Sequence, residues 1–187
     1  MNKIRFRNFF FNFLIVIIIF LIDRISKIYI LKLAEIESAF EVYVNPFLNF
    51  YLIWNKGIAF GLFSFNEQSI YDIITLIIII IIIVIFIMII KTKGINKYSL
   101  LFVFGGSLGN LYDRVFYSAV PDFIDLHIGN FHWFIFNVAD IFITLGVLCL
   151  IYAEIFMEKK KHVRLGKWDM LPSFIQISKM QERLLKK

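Results

Sequence analysis

The chain has 187 residues, 60% hydrophobic and 18% aromatic, with a mean hydropathy of +0.79 and a net charge of +6. Soluble domains are about 45–50% apolar, so this composition excludes a water-soluble globular domain and points to an integral membrane protein folded as one bundle. Residues 1–157 carry eleven basic and eleven acidic side chains, so the whole positive excess lies in the tail 158–187; that argues against a nucleic-acid binder and for a basic tail lying against anionic lipid.

Four apolar segments reach the ~20 residues needed to cross the hydrocarbon core. The first, about 9–30, follows Lys3, Arg5 and Arg7 in the manner of a signal peptide. No small-residue cleavage site comes after it, so it reads as a retained span. The loop 31–69 contains "FEVYVNPFLNFYLIWNKGIAFGLF" (40–63), rich in aromatic and β-branched residues and broken by Asn, Pro and Gly. It reads as short strands with turns, too apolar to stand in water and therefore lying on the membrane surface. The second span, about 70–90, is almost pure Ile. The third, about 98–116, ends in "GGSLGNLYDRVF" (105–116). A second loop, 117–132, has the composition of another strand. The fourth span is expected at about 133–156 and contains the single cysteine, Cys149, read as a buried inert thiol. The tail ends in "MLPSFIQISKMQERLLKK", either an amphipathic helix at the inner surface or a solvated one. The expected fold is thus an all-α bundle of four transmembrane helices with a small membrane-surface β element, residues 1–157, followed by the basic tail.

Basic residues set the orientation. Lys3, Arg5 and Arg7, then Lys91, Lys93 and Lys97, then Lys159, Lys160, Lys161 and Arg164 all fall on one side of a four-span protein. Both termini are then cytoplasmic, and the loops 31–69 and 117–132 face outward. At ~1.5 Å of rise per residue, Asp113 lies roughly 22 Å and Asp140 roughly 25 Å above the cytoplasmic face, and Asp23 and Arg24 reach a similar level. A charge inside a bilayer costs from ~2.5 to more than ~10 kcal/mol, so ionisable residues there are functional candidates by default. A salt-bridge network fixing the bundle, for instance Asp23 with Arg114, is the competing structural reading.

Two carboxylates held close together cannot easily both ionise. One member of such a pair can activate water while the other donates a proton, which is the logic of an aspartic protease. No phosphate-binding loop and no HExxH motif is present, and His127, His132 and His162 are scattered, so neither a metal nor an organic cofactor is expected.

Taken in order, "DRISK" (23–27), "NKGIAFG" (55–61), "GGSLGNLYDR" (105–114), "VPDFID" (120–125) and "FNVAD" (136–140) resemble the prolipoprotein signal peptidases, or signal peptidase II, of bacteria, over about residues 10–155. The resemblance implies an aspartic endopeptidase of the cytoplasmic membrane that cuts a prolipoprotein before its diacylglyceryl-modified cysteine. It places the catalytic pair at Asp113 and Asp140. It places supporting residues at Asp23, Lys27, Asn55, Gly57, Asn110, Arg114 and Asn137. The partners it implies are the prolipoprotein's signal peptide and membrane lipid, with the enzyme a monomer.

Asn137 and Asn110 each precede an acid by three residues and are expected on its helix face. Each supports the site or serves as interhelical glue. Gly105, Gly106 and Gly109 permit close packing or approach of a substrate strand. Arg114 is expected to point to the interface and pair with Asp122 or Asp23, a substrate carbonyl or a lipid head group. Asp125 and Lys56 read as surface charges. The rival functions are a small ion-coupled transporter with the acids as proton relay, and a non-enzymatic membrane scaffold.

Overall fold

A computed structural model describes residues 3–36, 41–57 and 68–157. The elements run α1 (Lys3–Ile36), β1 (Glu41–Asn45), β2 (Leu48–Asn55), α2 (Gln68–Lys91), α3 (Ile95–Tyr117), β3 (Val120–Ile128), β4 (Phe131–Phe136) and α4 (Val138–Tyr152), with a π-helical turn at Ala153–Met157. The chain divides into two compact units, 1–148 and 149–187. The sheet and the polar cluster described below belong to the first unit. The described residues of the second are the end of α4 and the π-helical turn. The expected tail, 158–187, lies outside the described residues, as does most of the "NKGIAFG" stretch beyond Gly57.

Among the described residues, three helices are long and apolar enough to cross a membrane: Arg7–Glu35, Ser69–Lys91 and Val138–Phe156. In water the Ile run of α2 would favour a strand. In hydrocarbon a lone strand leaves its backbone groups unpaired, so the run is helical. Most side chains of α2 point outward, Ile77, Ile80 and Ile83 among them, while Tyr71, Ile82 and Ile89 are buried. α3 is the polar helix. It packs against α1, α2 and β3 and buries Gly105, Gly106, Gly109, Asn110, Asp113 and Arg114. Many large apolar side chains therefore face out, while the polar groups of α1 and α3 face in beside a smaller apolar core that includes Ile19, Leu100 and Val103. The largest side chains with essentially no exposure are Lys27, Asn137, Asp23, Asp113 and Pro121.

The strands form one antiparallel sheet in the order β1-β2-β3-β4. The β1–β2 turn is set by Asn45, whose side-chain oxygen accepts the Phe47 N–H at 2.9 Å. The β3–β4 turn uses Gly129 at φ 58°. One apolar cluster ties the sheet to the end of α1: Ile30 and Phe123, packed with Leu33, Phe50, Leu52 and Val138.

Three expectations change here. The loop after α3 supplies two strands rather than one, and the aromatic segment Phe131–Phe136 is β4 rather than the start of the fourth span. That helix begins only at Val138, because Asn137 caps it, as shown below. Cys149 is exposed rather than buried.

Candidate active site

α1 brings three ionisable groups to α3. Asp23, Arg24 and Lys27 are all buried, Asp23 completely. Arg24 reaches Asp113 with both terminal nitrogens, at 2.5 and 2.8 Å, and also donates to Asp23 at 2.7 Å. Lys27 Nζ lies 2.6 Å from Asp113 Oδ2, 2.9 Å from Asn110 Oδ1 and 2.9 Å from Asp23 Oδ1. Two cations thus clamp two carboxylates, and the desolvation cost of each charge is offset by an opposite charge in contact. Glycine makes this approach possible. A Cβ on Gly109 would stand 2.5 Å from Asp23 Oδ2, and one on Gly106 would stand 2.5 Å from the Ala139 carbonyl oxygen. The glycines of α3 therefore serve helix packing.

The N-terminus of α4 meets the same cluster. Asn137 is the cap and Asp140 the third helical residue. The Asn137 side-chain oxygen accepts the Asp140 N–H at 3.2 Å, and Asp140 Oδ2 accepts the Asn137 N–H at 3.2 Å. This reciprocal pair is a capping box. A further amide of the first turn, Ala139 N–H, donates to Asp23 Oδ1 at 3.0 Å. Asp140 thereby sits at the positive end of the helix dipole. Its other oxygen accepts from the Asn110 side chain at 2.8 Å. Asn137 is a cap outside the helix, not a residue sharing a helical face with Asp140.

β3 brings in the remaining acid. α3 ends at Ser118 in the left-handed region, φ 53°, and the chain turns at once into β3. Asp122, 3% exposed, accepts from the Asn137 side chain at 2.6 Å and from the Asn55 side chain at 2.8 Å. Burial, and then the negative charge of Asp140, pushes the Asp122 carboxyl up to about 6, against smaller opposing effects of the two amides and Lys27. Asn55 also holds the backbone beyond β2, accepting the Gly57 N–H at 2.8 Å. Arg114 donates to the Gly57 carbonyl at 3.1 Å and to the Asn110 carbonyl at 3.3 Å. It binds backbone oxygens, not Asp122 or Asp23 as expected.

A cleft of about 220 Å³ opens onto this arrangement. Its polar wall is Asn55, Asn110, Arg114, Asp122, Asn137 and Asp140, and its apolar wall includes Ile78, Ile81 and Ile82 of α2 with Ile143 of α4. Asp122 and Asp140 both line it. Asp113 does not; it is fully buried behind the cleft wall, in contact with Arg24 and Lys27. The structure therefore brings the expected catalytic and supporting residues into one cluster, but in the cleft Asp140 is joined by Asp122 rather than by Asp113. Asp23 is held by Arg24 and Lys27, not by Arg114. Sequence reasoning missed Arg24 as a partner of Asp113, although a cation inside an apolar span was a visible signal. It also misjudged Asp125, which is 3% exposed and bonded to His132 at 2.8 Å. Lys56 is exposed, as expected.

Comparison with known proteins fits this architecture. The family model described as signal peptidase (SPase) II matches residues 15–156. The chain belongs to the signal peptidase II family. It is 56% identical over 161 residues to a lipoprotein signal peptidase of Pelagibacter ubique (strain HTCC1062), covering 86% of this chain and 97% of that one. It is 42% identical over 153 residues to a lipoprotein signal peptidase of Francisella tularensis subsp. novicida (strain U112), covering 79% and 93%. A bacterial membrane enzyme solved by the in meso method at 2.3 Å resolution superposes with a TM-score of 0.61 and 34% identity, covering 77% of this chain and 87% of that one. This signal peptidase II is thus a membrane protease, and the transporter and scaffold alternatives fall away.

Proposed function

We propose that this peptidase hydrolyses the bond before the diacylglyceryl-cysteine of bacterial prolipoproteins, and that Asp122 and Asp140 are its catalytic pair. The observation that carries the assignment is the difference in partners. Asp122 and Asp140 line the cleft and are held by neutral amides, whereas Asp113 lies outside it under two cations. Neutral donors fix a carboxyl group without forcing it to ionise. The elevated proton affinity of Asp122 suits a pair that shares one proton.

In the reaction, the charged member of the pair takes a proton from a water in the cleft as the water oxygen bonds to the scissile carbonyl carbon. The other member gives its proton to the carbonyl oxygen, producing a gem-diol. Collapse breaks the C–N bond as a proton passes to the departing amine. The pair acts as a unit, and its proton affinities belong to the pair. Arg114, Asn55 and Gly57 hold the strand end beside the substrate. The isoleucine wall of α2 offers the acyl chains an apolar path.

α3 has 23 residues, a length of about 34 Å at 1.5 Å per residue. We place it across the membrane as the fourth span, shielded by its neighbours. The loops' basic residues then put both termini in the cytoplasm and the site near the outer leaflet.

The test is a gel-shift cleavage assay on a diacylglyceryl-modified prolipoprotein and its unlipidated control. Asp122→Asn and Asp140→Asn are expected to lose about 10²–10⁴-fold in rate while keeping the wild-type melting temperature to within a few degrees. Asp113→Asn is expected to lose thermal stability, with its folded fraction cleaving within about tenfold of wild type. Full activity in Asp122→Asn, with loss in a well-folded Asp113→Asn, would return the pair to Asp113 and Asp140.

A further inference from the structure

The proteolytic reading uses neither histidine of the sheet, yet the fold brings both to one carboxylate. His127 on β3 pairs with His132 on β4, and their rings stack 5.3 Å apart at 28°. Asp125 lies against both. Its oxygens are 2.8 and 3.0 Å from His132 Nδ1 and 3.6 Å from His127 Nδ1. One donor atom from each of the three residues fits within 4.8 Å of the others. Asp125 and His127 are buried, at 3% and 8% exposure.

An ion pair between Asp125 and His132 leaves two atoms unexplained. His127 Nδ1 is buried with no hydrogen-bond partner. So is the side-chain oxygen of Asn49, the residue directly opposite Asp125 on β2. Unpartnered buried polar atoms are costly; here one lies 3.6 Å from the Asp125 carboxylate and the other belongs to the residue paired with Asp125 across β2 and β3. We propose that Asp125, His127 and His132 bind a divalent first-row transition ion of the Zn²⁺ type, with Asn49 as an adjacent oxygen donor.

The donor set fits that class. Imidazole nitrogens with a carboxylate suit Zn²⁺, whereas Ca²⁺ takes six to eight oxygens and Mg²⁺ keeps water. At Zn–N and Zn–O lengths of ~2.0–2.2 Å, the three donors need to close on the ion by only a small ring movement. His132, with 54% of its side chain exposed, is free to make it. The ion would cross-link β3 and β4 at the register shift between Leu126 and His127, bracing the strand that carries Asp122. The site is separate from the cleft, so binding is read without activity.

The full chain is purified in detergent without a polyhistidine tag, stripped with chelator and titrated with ZnCl₂ by calorimetry. CoCl₂ serves as the optical probe. Wild type is expected to take up one ion per chain, with a visible cobalt band showing nitrogen ligation. His132→Ala and Asp125→Asn are each expected to weaken Zn²⁺ binding by at least about tenfold. His132 is half-exposed, so its alanine variant should retain the wild-type cleavage rate, which reports an intact fold. Zn²⁺ should also raise the melting temperature of wild type but not of His132→Ala. The proposal is overturned if wild type shows no saturable binding, or if His132→Ala binds as tightly as wild type.

Discussion

The protein buries two pairs of aspartates and treats them in opposite ways. Asp23 and Asp113 share two cations, Arg24 and Lys27, in direct contact. Asp122 and Asp140 receive amide groups from Asn55, Asn110 and Asn137, with no cation touching either among the described contacts. The first arrangement fixes charge and makes it structural. The second fixes position and leaves the proton free to move. Within one small cluster, the kind of partner distinguishes the two pairs, and carries the proposed division into scaffold and chemistry, where burial does not, since all four acids are buried.

The comparison breaks most sharply at Lys27. Lys27→Met leaves Asp23 and Asp113 with Arg24 alone, and is expected to destabilise the folded protein by about 3–5 kcal/mol. Adding Asp113→Asn to that variant should restore part of the loss, because the unpaired charge is gone; thermal melts of the single and double variants in one detergent give the coupling. A similar deficit in both would mean the clamp matters through packing alone.

The amide-held pair should show itself in the pH dependence of stability. The Asp122 carboxyl rises from an ordinary 3.8 to about 6 in the folded protein. Between those values the native state keeps a proton that the unfolded chain has lost, so stability falls as pH rises through that window. Two pH units correspond to about 3 kcal/mol. Chemical denaturation at pH 4 and pH 6.5 should reveal that slope, and Asp122→Asn should flatten it.

Smaller effects sharpen the geometry. Gly109→Ala drives a methyl group against Asp23 Oδ2 and should cost about 1–3 kcal/mol as an overpacked site, read as a lowered melting temperature. Ser118→Gly relieves a left-handed residue and should be stabilising or neutral within about 1 kcal/mol.

Much of this was legible in the sequence. The apolar runs locate the helices, α2 to within two residues and α1 short by six at each end, and the aromatic stretch 40–63 announces strands where β1 and β2 lie. Most polar residues of the five motifs do assemble, Lys56 and Asp125 being the exceptions. What could not be read was which acids face one another. Counting residues along a helix gives height, and Asp113 and Asp140 have similar heights. It does not give azimuth, and Asp113 turns toward α1. Nor could a height argument weigh Asp122, which lies on a strand whose path depends on the abrupt turn at Ser118. One signal was available and unused. In "FNVAD", an Asn followed three residues later by an acid is the spacing of a capping box. Read so, it starts α4 at Val138 and releases "FHWFIF" to be a strand.

That capping box ties Asp140, one of the proposed catalytic pair, to a piece of secondary structure. Asp140 holds the first turn of α4 closed, and the first turn holds Asp140 in place. Asn137, on the other side of the same exchange, positions Asp122. Fraying of that one helical turn would therefore disturb both carboxyl groups of the proposed catalytic pair. A loosened start of α4 would lose the Asp140 N–H to Asn137 bond and, with it, the hold that Asn137 has on Asp122.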